Sequence, residues 1–251
     1  PPGRDYTKFL NRDGLTGARI GIPRAFFYDR IAPPGEENPR GGLNDAQQKV
    51  MDEAIAVLKQ RGAVIVDPAN IPSVVDKDPK NNLMLWNTCG GANNGRGKDE
   101  NCSIDFKYGM KRDFNKWLAS LGPAAPLKSL TELIAWNTAH QKAGSIKYGQ
   151  SNLDVSDEMD LEKDRARYEA DRAKDVRLGG THGMDEIMKA ERLDALLFPA
   201  ASGAAIAAKP GYPTVIVPFG FVANAPETGA GRGGPPGGGP NNAPFPSGFG
   251  A

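Results

Sequence analysis

Ser202 is the serine best placed for nucleophilic chemistry in this 251-residue sequence. It lies in PAASGAA, a run of small residues directly after the apolar segment ALLF at 195–198. Loops at the ends of parallel strands are where active sites gather. A hydroxyl nucleophile also needs a base within hydrogen-bond reach, and no histidine or lysine is close enough in sequence to be an obvious one. The G-x-S-x-G elbow is absent as well. Ser202 is therefore expected to border a pocket rather than to attack a substrate.

The remaining chemistry-bearing residues are sparse. His140 and His182 are the two histidines, and neither H-x-x-x-H nor C-x-x-C occurs, so no metal site is expected. His140 falls four residues after Trp136 on a helical pattern and reads as a packing or surface residue. His182, in GGTHG, reads as a turn residue. LGGTHG departs from G-x-G-x-x-G and follows no strand, which argues against dinucleotide binding. No cofactor is expected. Cys89 and Cys102 have twelve residues between them in the polar loop TCGGANNGRGKDENCS. Two readings stay open: a disulfide, implying an oxidising and so secreted or periplasmic setting, or two free thiols in the cytoplasm.

Composition excludes some partners. Thirty-one basic and thirty acidic residues leave a net charge of +1, which gives no electrostatic reason to expect nucleic acid. No apolar run reaches the length of a membrane span, so no membrane partner is expected either.

The elements that would position these residues follow from pattern. ARIGIP (Ala18 to Pro23) reads as a buried strand. NDAQQKVMDEAIAVLKQRG reads as a helix, with Asn44 as N-cap, Gln47 completing a capping box, and Ala46, Val50, Ala54, Val57 and Leu58 at helical spacing. AVIV (Ala63 to Val66) follows as a strand, giving a βαβ unit and so a parallel sheet. Phe106, Met110, Phe114, Trp117 and Leu121 share one face of a helix over Asp105–Gly122 and are expected in the core. Ser129 and Glu132 form a second capping-box pattern. Eight acids and six bases between Asp157 and Arg177 predict an exposed, ion-paired helix that LGGTHG breaks. A short helix, a third strand at Ala195–Phe198 and a fourth at Thr214–Val217, fenced by Pro213 and Pro218, complete the pattern. Residues 222–251, rich in glycine and proline, are expected to form an irregular loop or tail.

Four stretches in order carry a resemblance: DGLTGARIGIPRAFF (Asp13 to Phe27), FKYGMKRDFNKWLASLGPAAPLKSLTELIAWN (Phe106 to Asn137), RLDALLFP (Arg192 to Pro199) and PGYPTVIVPFGF (Pro210 to Phe221). Together they resemble the C-terminal half of amidase signature enzymes, nearest the peptide-amidase-like branch. The resemblance implies an α/β fold: a mixed, mostly parallel sheet flanked by helices, incomplete at both ends, with residues 1–221 forming the C-terminal portion of one domain. It implies a serine hydrolase of small amides or peptide amides, without cofactor. In that family a lysine, a bridging serine and a nucleophilic serine lie upstream of the segment that DGLTGARIGIP begins, so no catalytic residue is carried over to this chain. The strand matching GYPTVIVP is central in the family's sheet. Many relatives carry a longer loop between the segments matching LLFP and GYP, where this chain has only ASGAAIAAKP.

By position, Phe198, Ala201, Ser202, Ile206 and Tyr212 are the pocket-lining candidates. Ordinary packing at strand ends is the competing reading for each. For the chain as a whole, the competing reading is a catalytically inert fragment or a scaffold or binding protein derived from the fold. A sheet with exposed apolar edges would make an isolated chain marginal or self-associating, which leaves a homo-oligomer as an expectation.

Overall fold

The computed structural model describes residues 10–223 and 248–250, together with Asp5 and Thr7. The Gly/Pro-rich stretch at 224–247 lies outside the described residues. Among the described residues the chain divides into two compact units, one built from those up to 85 together with 176–223 and 248–250, the other from 86–175.

The first unit carries the parallel sheet. Strands β1 (Arg19–Gly21), β2 (Val64–Val66) and β5 (Ala195–Leu196) lie in the order β2-β1-β5, with Ile20 opposite Ile65 on one side and Ala195 on the other. After β1 comes a kinked turn, α1 (Arg24–Phe27). Helix α2 (Asp45–Gln60) then connects β1 to β2. Its start is fixed locally: Asn44 Oδ1 accepts from the Gln47 N–H at 2.9 Å, and Gln47 Oε1 accepts from the Asn44 N–H at 3.0 Å. Each bond satisfies a donor that the first helical turn would leave open. An Asn44→Ala variant is expected to lose about 1 kcal/mol, read as a lower midpoint in urea unfolding with an unchanged slope.

The buried stripe of α2 is Met51, Ala54 and Ile55, while Val57 stays exposed, so the helix is rotated by about one residue from the face its periodicity predicts. Gly21 lies where nothing larger fits. A Cβ there would meet Leu193 Cδ1 at 2.5 Å and Ala69 Cβ at 2.9 Å. After β2, α3 (Pro72–Val75) begins on a proline.

Thr214–Val217 is not a strand. Val215, Ile216 and Val217 are more than half exposed, and the strand instead begins at the proline, as β6 (Pro218–Phe221), antiparallel to β7 (Gly248–Gly250). The physical reason is the absence, among the described residues, of a ladder partner for 214–217. β-branched residues favour a strand only where neighbours cover them.

The second unit is helical around a small parallel pair, β3 (Asn87–Thr88) and β4 (Cys102–Ser103). Helices α4 (Asp105–Ser120), α5 (Leu130–Ala139), α6 (Ser151–Asp157) and α7 (Arg165–Val176) follow. Ser129 caps α5 by accepting from the Glu132 N–H, but Glu132 reaches back to the Lys128 N–H rather than to Ser129. The ion-paired helix expected from Asp157 starts only at Arg165, where α7 begins, since α6 ends at Asp157 and the residues between are not helical.

The core face of α4 is turned by about one residue from the one its aromatics suggest, which leaves Met110 and Phe114 half-buried. Phe106, Trp117 and Leu121 are exposed, whereas Lys107, Tyr108 and Leu118 are buried. Tyr108 packs with Cys89, Cys102, Ile104 and Met159. Lys107 is drawn inside by charge: Nζ donates to Asp99 Oδ2 and to the Asn94 carbonyl oxygen, both at 2.8 Å. Cys89 and Cys102 form a disulfide, closing the loop that supplies both of those partners.

Candidate active site at the carboxyl end of the sheet

Parallel strands deliver their following loops to one edge, and in open α/β sheets ligands bind outside the carboxyl ends of the strands. Here those loops are tied together. Arg24, after β1, grips Asp67, after β2, with Nε to Oδ1 at 2.8 Å and Nη2 to Oδ2 at 2.6 Å. Asn70 Oδ1 accepts from the Ala25 N–H at 2.8 Å. Tyr28 donates its hydroxyl to the Leu197 carbonyl at 3.0 Å, joining the β1 loop to the end of β5. Burial pushes the Tyr28 hydroxyl far above the usual tyrosine value, so it acts as a neutral donor.

The five pocket candidates all lie in the segment that leaves β5. Phe198 meets Phe27 edge-on with ring centroids 4.8 Å apart. A Cβ on Gly203 would strike the Phe198 ring at 2.5 Å, so the glycine lets the turn close over it. Ala201 and Ser202 are exposed on that turn. Ser202 Oγ donates to the Pro199 carbonyl at 2.7 Å, a local turn bond rather than a contact to a base. Ile206, on α9 (Ala204–Ala208), is buried. Tyr212 is half-buried and donates its hydroxyl to Asp185 Oδ1. That bond, with a smaller contribution from burial, pushes the Tyr212 hydroxyl up to about 12. The structure thus brings Phe198 against the β1 loop and Tyr212 against α8 (Asp185–Glu191), while Ala201 and Ser202 face solvent.

Beneath this segment runs the glycine-rich stretch that sequence patterning reads as a break. Residues Arg177–Met184 continue α7 as a π-helical turn, interrupted at His182 and Gly183. Its glycines mark close approaches. A Cβ on Gly179 would lie 2.9 Å from both Lys209 Cβ and Pro210 Cδ, and one on Gly183 would collide with the Leu178 carbonyl oxygen. Ser73 Oγ donates to that same carbonyl at 2.6 Å, and Arg177 donates to Asn81 Oδ1 at 2.9 Å. His182 places Nε2 2.8 Å from Asp76 Oδ2 and Nδ1 2.9 Å from Glu186 Oε2.

Sequence reasoning missed the Arg24–Asp67 pair and the Asp76–His182–Glu186 cluster. Only the His182–Glu186 spacing of four residues hinted at a contact; the others link positions 43 and 106 residues apart. Among the described residues no cluster of three or more His, Cys, Asp or Glu side chains could hold a metal ion. A depression of about 500 Å3 is lined by Asp45, Gln48, Lys49, Asp52, Glu53 and Ala56, all on α2 and none on the segment after β5.

No family model matches the sequence. The chain is 21% identical over 234 residues to a probable amidase of Arabidopsis thaliana, covering 93% of this chain and 38% of that protein. A shorter stretch of 60 residues is 45% identical to one of the subunits of the glutamyl-tRNA(Gln) amidotransferase of Clostridium kluyveri, 24% of this chain and 10% of that protein. The native peptide amidase of Stenotrophomonas maltophilia superposes with a TM-score of 0.61 at 27% identity, covering 88% of this chain and 41% of that one. The chain therefore spans about two-fifths of the plant relative and of the peptide amidase, and its α/β architecture, a parallel sheet flanked by helices, matches that of the peptide amidase. Sequence and fold together make this chain an amidase homologue.

Proposed function

We propose that the chain is part of a serine amide hydrolase of the amidase signature type. The nucleophile and its lysine base belong to residues beyond these 251, and residues 1–221 supply sheet, scaffold and pocket wall. The observation that carries this reading is the match to about two-fifths of each full-length relative, taken with the engagement of Ser202 Oγ by the Pro199 carbonyl. Ser202 Oγ donates to a local carbonyl, and no hydrogen bond described for it reaches a base of the kind that amide attack requires. The reaction is acyl transfer: the external serine displaces the amine and forms an acyl-enzyme, and water then releases the acid. Phe198, Ile206 and Tyr212 would shape the acyl or amide pocket, with Ala201 and Ser202 at its rim. A peptide amide or a small aryl amide is the substrate class, by analogy with the peptide amidase.

The disulfide supports a secreted or periplasmic setting, because such bridges persist in oxidising compartments. Release of ammonia from C-terminally amidated peptides, by the polypeptide as its source makes it, tests the function. Turnover that survives Ser202→Ala supports the reading. No turnover of either peptide amides or aryl amides contradicts it and favours the inert scaffold.

A further inference from the structure

His182 lies between two carboxylates on two different elements. Nε2 faces Asp76 Oδ2 at 2.8 Å from the end of α3, and Nδ1 faces Glu186 Oε2 at 2.9 Å from α8. An ionised carboxylate only accepts hydrogen bonds, so both ring nitrogens must donate for both contacts to hold. Only the imidazolium does that. A neutral ring would turn one lone pair toward a carboxylate and lose that bond.

The stretch that carries His182 underlies the loop with the pocket candidates. Gly179 packs against Lys209, Pro210 and the Ile206 carbonyl, and Gly180 packs against Pro210, Asp185 and the Tyr212 hydroxyl. We propose that His182, as an imidazolium bridging Asp76 and Glu186, is a positioning residue that pins the glycine-rich turn, so that the 206–212 segment loosens when His182 loses its proton. This rests on the reading that Ile206 and Tyr212 line the pocket, and regulates that same site.

The other charged groups around the cluster favour the bridged form. Asp76 also accepts from the Asp78 N–H at 2.8 Å, and that bond, followed by His182, holds its carboxyl below the usual range. Arg177 adds positive charge near Asp76, and Asp185 is occupied by Tyr212. Burial pulls the His182 pKa down, but the bonds to Asp76 and Glu186 prevail and hold it above the ordinary histidine value of 6.5. A group with a raised folded pKa contributes stability below its unfolded value and loses it as pH rises through the folded value. The bridge is therefore closed at mildly acidic pH and opens as the solution turns alkaline.

The test is backbone hydrogen exchange, corrected for its intrinsic pH dependence, on the protein and on His182→Gln. In the protein, protection at 179–184 and 206–212 should fall about tenfold across the His182 titration, and in the variant it should be flat with pH. Equal protection across that range in the protein, or the same pH dependence in the variant, overturns the proposal. Should the variant fail to fold, the His182 Cε1 proton and the Tyr212 ring protons of the unmodified protein serve instead: one shared midpoint above 6.5 supports the bridge, and separate midpoints overturn it. These readouts need no turnover, so they stand apart from the test of amide hydrolysis. In an active enzyme, KM should rise through the same midpoint while kcat changes little.

Discussion

Replacing Lys107 with methionine should destabilise the second unit by about 3 kcal/mol or more, the usual result of removing one partner from a buried ion pair. Methionine preserves the length and most of the volume of the side chain, so the loss reports charge rather than packing. Lys107 has no exposed surface and Asp99 is 2% exposed. Without the ammonium, Asp99 keeps, among the described residues, the Arg167 guanidinium, whose Nη1 stands 3.3 Å from Oδ1, and the Asn94 carbonyl loses the Lys107 donor. The double variant with Asp99→Asn should recover part of the loss, since two neutral groups are cheaper to bury than one unpaired charge. Urea unfolding of both singles and the double closes the cycle. Equal losses in the double and in Lys107→Met would contradict the account.

The pair also sets an acid dependence. Burial pushes the Asp99 carboxyl up, but Lys107 and Arg167 together outweigh it and hold the group below the ordinary carboxylate range. A depressed folded pKa contributes stability above the unfolded value, near 3.9, and that contribution disappears as pH falls through the folded value. Acid unfolding should therefore be shallower in the double variant than in the native protein.

Reduction of the Cys89–Cys102 bridge is the second large effect. The bridge closes a loop of about a dozen residues, for which chain entropy gives about 3 kcal/mol. The same loop presents Asn94 and Asp99 to Lys107, and both sulfurs pack against the Asp99 carbonyl at 3.7 Å. Loss of the bridge and loss of the ion pair should therefore couple, and the Cys89→Ala/Cys102→Ala variant should respond less than additively to Lys107→Met. A thermal melt with and without reductant, under conditions where both thiols are shown to be free, checks the main effect. An unchanged melting temperature would contradict it.

What could be read from the sequence was local. The Asn44–Gln47 box, the βαβ unit and the strand at Ala195 follow from spacing and caps that act within a few residues. Lys107 could not be placed that way, because its burial depends on Asp99, Asn94 and a bridge that folds them over it. The aromatic face of α4 has helical periodicity, yet periodicity shows only that one face is apolar, not that a neighbour covers it. Thr214–Val217 has strand composition, but a strand needs a ladder partner, and none lies beside it among the described residues. At the candidate site, the small-residue turn around Ser202 was visible from its composition. The anchoring of that turn by Phe27 and Tyr28, and the packing of 206–212 on Gly179 and Gly180, came from contacts between residues far apart in the chain.

One measurement bears most directly on the claim that this chain walls a pocket whose nucleophile lies elsewhere. The polypeptide, as its source makes it, would be treated with a serine-directed fluorophosphonate while peptide-amide hydrolysis is followed, and the labelled residue located by mass spectrometry. Hydrolysis and labelling are expected to stop together at a serine outside these 251 residues, with Ser202 unmodified. Labelling at Ser202 in step with the loss of activity would contradict that claim.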